Sequence, residues 1–183
     1  DFGGNWASNL SGISLSSSAY HNENNQLAVG SISSGLYLSS DNGTSFVNKT
    51  TADGLLSNVI TSVTYSTGGA LYLTYSKDEN DVNSAPGISL SADGGTTFSH
   101  FPTYGNADVF QGGEAPLDIS HFAISDSGRV FISTSDGLHI STDNLQSTTT
   151  YLSANEVISV ALLNENTWYV ATSDAGLKVT EDN

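Results

Sequence analysis

Apolar and polar positions alternate with a period of two along almost the whole chain. Leu27-Ala28-Val29, Leu71-Tyr72-Leu73, Val130-Phe131-Ile132 and Trp168-Tyr169-Val170 are short β-prone runs, each close behind turn formers such as Ser66-Thr67-Gly68-Gly69 or Ser125-Asp126-Ser127-Gly128. No stretch sets apolar residues at i, i+3, i+4, i+7 and closes them with a glycine stop, the mark of an amphipathic helix. The pattern predicts an all-β chain of many short strands.

Internal repetition then predicts how those strands group. Gly35-Leu-Tyr-Leu-Ser-Ser-Asp41-Asn-Gly-Thr-Ser-Phe46 recurs as Gly87-Ile-Ser-Leu-Ser-Ala-Asp93-Gly-Gly-Thr-Thr-Phe98. A third copy, Gly137 to Asn144, is degenerate afterwards, and a fourth runs from Gly176 to Asp182-Asn183. Asp1-Phe2-Gly3-Gly4-Asn5-Trp6 fits the back half of the same motif. Successive copies lie about 40–50 residues apart, the length of a four-stranded supersecondary unit. A fixed motif at variable spacing means fixed units joined by variable loops.

These residues resemble the Asp box, Ser-x-Asp-x-Gly-x-Thr-Trp, of the bacterial-neuraminidase-repeat family. Ser39, Asp41, Gly43 and Phe46 match it, as do Ser91, Asp93, Gly95 and Phe98, with Phe in place of Trp. Asp1, Gly3 and Trp6, and then Asp143 and Asp182, supply the remaining structural positions. The resemblance implies a β-propeller of four-stranded antiparallel blades, each box being the hairpin turn between the third and fourth strands. Blade one then covers about 13–50, blade two 58–101, blade three 118–152 and an incomplete blade four 156–183, with 1–12 carrying an outer strand. That strand, Asn5–Leu10, either closes the ring as blade four's missing strand or belongs to a preceding blade. A box aspartate that accepts backbone N–H bonds across its own turn has a structural role.

Composition narrows the partners. With 19 Asp and Glu against 4 Lys and Arg the formal charge is -15, so polyanions are repelled and nucleic acid and anionic membranes are excluded. No apolar run reaches the length of a spanning helix, which excludes membrane insertion by that route. Cysteine and methionine are both absent. Thiolate chemistry and disulfides are thereby ruled out, and the lack of an initiator Met suggests a processed or excised piece of something longer. A surface poor in Lys and rich in Ser, Thr, Asn and Gly suits a secreted or cell-surface protein. Asn9, Asn42 and Asn48 each begin an Asn-x-Ser/Thr sequon.

Candidate chemistry concentrates in two insertions. Lys77–Pro86 lengthens the link between the second and third strands of blade two, and Ser99–Asp118 leads from that blade to the next. By propeller geometry both emerge on the rim opposite the boxes, and long loops on a rigid scaffold are where binding sites gather. Tyr104 and Phe110 offer faces for stacking on sugar or peptide, with Asp108 and Glu114 as acceptors. Asp78, Glu79 and Asp81 are hard oxygen ligands suited to calcium, though their spacing is not that of an EF-hand. The family's sialidases clamp a carboxylate with three arginines, whereas Arg129 is the sole Arg here, so sialidase activity is not expected. His21, His100, His121 and His139 are scattered and read as packing residues. The sequence thus points to a non-catalytic module that binds or scaffolds a glycan or protein. Its rivals are a part of a glycoside hydrolase whose catalytic groups lie elsewhere, and a fibre subunit that self-assembles through its terminal strands.

Overall fold

The computed structural model describes residues 9–76, 80, 85–102 and 119–181. Four antiparallel sheets follow one another along the chain, each an up-and-down meander. The first comprises β1 (Leu15–His21), β2 (Gln26–Ser31), β3 (Leu36–Ser39) and β4 (Val47–Lys49). In the second are β5 (Ile60–Tyr65), β6 (Leu71–Tyr75), β7 (Gly87–Ser91) and β8 (Ser99–Pro102). The third holds β9 (Ile119–Ile124), β10 (Val130–Thr134), β11 (Gly137–Ser141) and β12 (Thr149–Tyr151); the fourth has β13 (Val157–Leu162), β14 (Thr167–Thr172) and β15 (Gly176–Glu181). Between the first two sheets lies one 3-10 turn, Thr51–Asp53. Its start is capped by Thr50, whose hydroxyl accepts from Ala52 N while the Asp53 carboxylate accepts from Thr50 N.

The sheets stack face to face, and each seam between neighbours is a separate apolar core. Ala28 and Leu36 of the first sheet meet Ile60, Val63, Leu71 and Leu73 of the second. Tyr72 and Ile88 on its other face meet Phe122, Val130 and Ile132, and Phe131, Leu138 and Ile140 meet Val157, Val160, Trp168 and Val170. Strands β6 and β10 are buried along their whole length because both faces are covered, which is why they read as continuous apolar runs. The first strands of the sheets pack in chain order, β1 on β5, β5 on β9 and β9 on β13, and β5 and β9 touch far less than the other two pairs. No comparable contact joins β13 to β1 among the described residues.

One seam uses an unusual residue. Leu145 stands where the first two repeats have Gly43 and Gly95, and all three take positive φ, at 67°, 81° and 88°. A Cβ on Gly95 would fall 2.3 Å from Leu38 Cδ1, whereas the Leu145 side chain is fully buried in the second seam. Losing a buried Leu costs about 2–5 kcal/mol, and relief of left-handed strain returns about 1–2 kcal/mol. Leu145→Gly is therefore expected to destabilise by up to about 4 kcal/mol in urea unfolding. A variant more stable than the parent would show that strain outweighs burial.

Candidate functional site

Three turns between third and fourth strands share one hydrogen-bond pattern. Ser39 Oγ donates to Asp41 Oδ1 at 2.7 Å and accepts from Gly43 N at 2.8 Å, while Ser45 gives its N–H and O–H to the Asp41 carboxylate at 2.9 and 2.7 Å. Ser91, Asp93, Gly95 and Thr97 repeat it, and so do Ser141, Asp143, Leu145 and Ser147. Hydrogen bonds from Ser45, Thr97 and Ser147, then from the serine two positions earlier, hold each aspartate at about 2. Phe98 packs against the first seam. These carboxylates are occupied within their turns.

A second repeated feature is broken at one place. Each sheet's first strand carries a bulge near its start, which puts Ser17, Ser62, His121 and Ser159 in equivalent positions. Between the first and second sheets Val63 N donates to Ser17 Oγ at 3.2 Å; between the third and fourth Val160 N donates to His121 Nδ1 at 3.5 Å. The equivalent pair between the second and third, Ser62 and Phe122, instead lines a cavity of about 200 Å³ with Thr61, Thr74, Ser120 and His121. The Thr61 and Thr74 hydroxyls are 2.7 Å apart. Ser120 Oγ lies 2.6 Å from Val157 O and 3.1 Å from Ser133 O, with one proton to serve both. Burial lowers the pKa of His121, so its ring is neutral near pH 7. Because Nδ1 accepts from Val160, the ring proton sits on Nε2. The cavity is thus lined by hydroxyls and a neutral imidazole, a set that hydrogen-bonds uncharged groups.

The long links leave the sheets at this same place. Residues 76–86 join β6 to β7, where 32–35, 135–136 and 173–175 make the corresponding joins. Residues 103–118 join β8 to β9. Thr74 lies just before the first link and Ile119 just after the second, and both line the cavity.

No protein-family model matches the chain and no curated protein matches it. Among solved structures it resembles the GH74 xyloglucanase from Xanthomonas campestris (TM-score 0.67, 16% identity, 93% of this chain and 29% of that one). It also resembles the extracellular domain of BT4673 from B. thetaiotaomicron (0.65, 14%, 91% and 21%). A third likeness is to the Cps50 (Swd1) β-propeller domain of Myceliophteria thermophila (0.57, 10%, 90% and 51%). The fold is that of β-propeller blades. This chain spans only 21% to 51% of those chains, and the four sheets are hereafter blades one to four.

Other polar groups singled out in the sequence serve the propeller's framework. Arg129 Nη1 donates to Glu165 O at 3.1 Å, and the guanidinium stands 5.2 Å from the centre of the Trp168 ring, tying blade three to blade four. Ser127 gives two hydrogen bonds to the Glu165 carboxylate and lowers its pKa. His139 bridges Asp136 at 2.8 Å and Thr150 at 3.0 Å. One blade earlier the cross-strand pair is reversed, Ser89 with His100 at 2.7 Å, and His21 contacts Thr67 O at 3.3 Å. Asn9 Nδ2 donates to Gly43 O in the turn of blade one, and neither Asn9 nor Leu10 lies in a strand.

Asp1, Gly3, Trp6, Asp78, Glu79, Asp81, Tyr104, Asp108, Phe110, Glu114 and Asp182 lie outside the described residues. Among the described residues no three His, Cys, Asp or Glu gather as metal ligands, and no helix is long and apolar enough to cross a membrane. Thr61, Ser62, Thr74 and Ser120 escape sequence reasoning. Polar residues on the first two strands of blade two and the first strand of blade three are their only signal, and it has no meaning until the bulge register is known.

Proposed function

We propose that this chain is an Asp-box propeller module that works outside the cell or at its surface and binds without catalysis. Its ligand, a neutral glycan or an uncharged protein segment, sits on the rim of blades two and three. The observation that carries this reading is the missing bond between Ser62 and Phe122, with a hydroxyl-lined cavity in its place at the roots of both long links. A net charge of -15 disfavours anionic ligands. Tyr104 and Phe110 would stack on the ligand, Asp108 and Glu114 would accept its hydroxyl or amide hydrogens, and calcium on Asp78, Glu79 and Asp81 would stiffen the first link.

The test is binding to arrays of neutral oligosaccharides and peptides by the chain and by two variants, His121→Ala and a deletion of residues 78–84. Both variants should bind at least about tenfold more weakly, the loss of one well-formed polar contact or more, with the melting temperature of the deletion unchanged. Undiminished binding by a folded deletion variant would refute the rim as the site. The second reading, a part of a glycoside hydrolase, draws support from the likeness to the xyloglucanase, of which the chain spans 29%. Polysaccharide cleavage that appears only when further domains are supplied would favour it.

A further inference from the structure

Corresponding positions of the first two seams are filled in different ways. In the second seam Ala70, Leu90, Phe101 and Ile124 pack against the apolar cluster that holds fully buried Leu145. The strand registers put Gln26, Leu38, Lys49, Tyr65 and Gly95 at those places in the first seam. With Val47 they line a pocket of about 220 Å³ whose walls come from blades one and two alone. Glutamine for alanine, lysine for phenylalanine and glycine for leucine are the exchanges that open it. A cation stands where an aromatic ring closes the next seam.

The pocket's polar groups are mostly donors. Among the described residues the Lys49 ammonium, the Tyr65 hydroxyl and the Gln26 side-chain amide make no hydrogen bond and no ion pair. An ammonium can only donate. Burial raises the Tyr65 pKa to about 12, so its hydroxyl keeps its proton and donates too. Leu38 and Val47 add an aliphatic wall. Charge selects against ions of either sign. Lys49 is the only charged residue of the lining among the described residues, but Asp41 and Asp93 adjoin Ser40 and Gly94 of that lining, and their turns keep both ionised. Asp53, whose pKa is lowered by Thr50 and to a smaller extent by Lys49, is a third carboxylate nearby. An anion meets the carboxylates and a cation meets the ammonium, whereas an uncharged acceptor meets neither penalty.

We propose that this pocket holds the acetamido group of an N-acetylated sugar. Its carbonyl oxygen accepts from Lys49 and Tyr65, its methyl group lies on Leu38 and Val47, and its N–H donates to the side-chain oxygen of Gln26. At about 30 Å³ for each water-sized group the volume takes about seven heavy atoms, enough for the acetamido group and the ring carbons next to it. Ser40 and Thr96 bring exposed hydroxyls to the same lining. Thr96 Oγ1 donates to Asp93 O at 3.1 Å, which leaves its lone pairs for a sugar hydroxyl. Glycine is needed beside Gln26, since a Cβ on Gly94 would fall 2.7 Å from Gln26 Nε2 and displace the amide. The pocket shares no residue with the cavity between blades two and three, so it is independent of the rim proposed above.

Titration of the 15N-labelled chain with N-acetylglucosamine up to about 50 mM, a range suited to weak millimolar affinity, should shift the amide resonances of Gly94, Gly95 and the Gln26 side chain. Glucose, which lacks the acetamido group, and glucosamine, which carries a cation in its place, should leave them still. Lys49→Phe, which installs the residue that Phe101 provides in the second seam, should weaken binding more than about tenfold by filling the pocket and removing a charged donor, with the melting temperature undiminished. Tyr65→Phe should weaken it about threefold to tenfold, the loss of one hydrogen bond. Should Lys49→Phe fail to fold, Lys49→Gln carries the same test without added bulk. His121→Ala, which alters only the other cavity, should leave the titration unchanged. No shift at about 50 mM, equal shifts with glucose, undiminished binding by the folded Lys49 variants, or loss of binding in His121→Ala would each overturn the proposal.

Discussion

Phe131→Ala is expected to lower stability by about 3–5 kcal/mol, among the largest effects of any single truncation. The ring is 0% exposed and meets Trp168 edge to face at a centroid distance of 4.9 Å. Truncation leaves a cavity at the third seam and removes an aromatic pair worth about 0.5–1.5 kcal/mol beyond burial. The damage reaches further, because Trp168 also donates from Nε1 to Glu165 O at 3.1 Å and supports the Arg129 guanidinium. Urea unfolding followed by tryptophan fluorescence measures the effect, since Trp168 is one of only two tryptophans. A loss below about 1 kcal/mol would mean that the seam collapses to refill the space.

Acid should unfold the protein mainly between pH 4 and pH 2. Asp41, Asp93 and Asp143 are each lowered from 3.8 to about 2 by the hydrogen bonds of their turns. A depressed carboxylate stabilises the fold above its unfolded pKa, and that contribution is lost as pH falls through the folded value. Within this window the unfolded chain binds up to about three more protons than the folded one through these residues alone. Asp53, Asp136 and Glu165 are shifted the same way and add to the slope. At Asp136 burial pushes upward, and hydrogen bonds from Thr134 and His139 outweigh it. Melting temperatures taken across the window should fall steeply, and the triple variant Asp41→Asn, Asp93→Asn, Asp143→Asn should flatten the fall. An equally steep fall in the triple variant would remove these turns as its cause.

Much of this fold is legible from the chain because the repeat reports its own register. Glycines 35, 87, 137 and 176, which open the four copies of the motif, stand at or one residue before the start of the third strand of each blade. Outer strands are less legible: the box ends at Phe98 and the strand Ser99–Pro102 begins only after it, since a hairpin turn's end is set by hydrogen bonds that β propensity does not encode. The third turn looks degenerate in sequence because Leu145 replaces glycine. What the turn needs is a backbone of positive φ and a hydroxyl at Ser147, and a buried leucine can supply the first. The cavity is hidden for a different reason. It depends on which side chain of one blade faces which amide of the next, a relation fixed by bulges and not by alternation.

The three apolar seams have no core residue in common, and the second and third sheets each contribute their two faces to two different ones. Such a molecule behaves as a line of nearest-neighbour couplings rather than as one cooperative interior. Change within a seam is felt by the two sheets that share it and reaches the others only through the thickness of a single strand. That arrangement lets one blade be lengthened, recut or duplicated as a unit while its neighbours keep their packing. Blade two, with both long links, is where this freedom has been used.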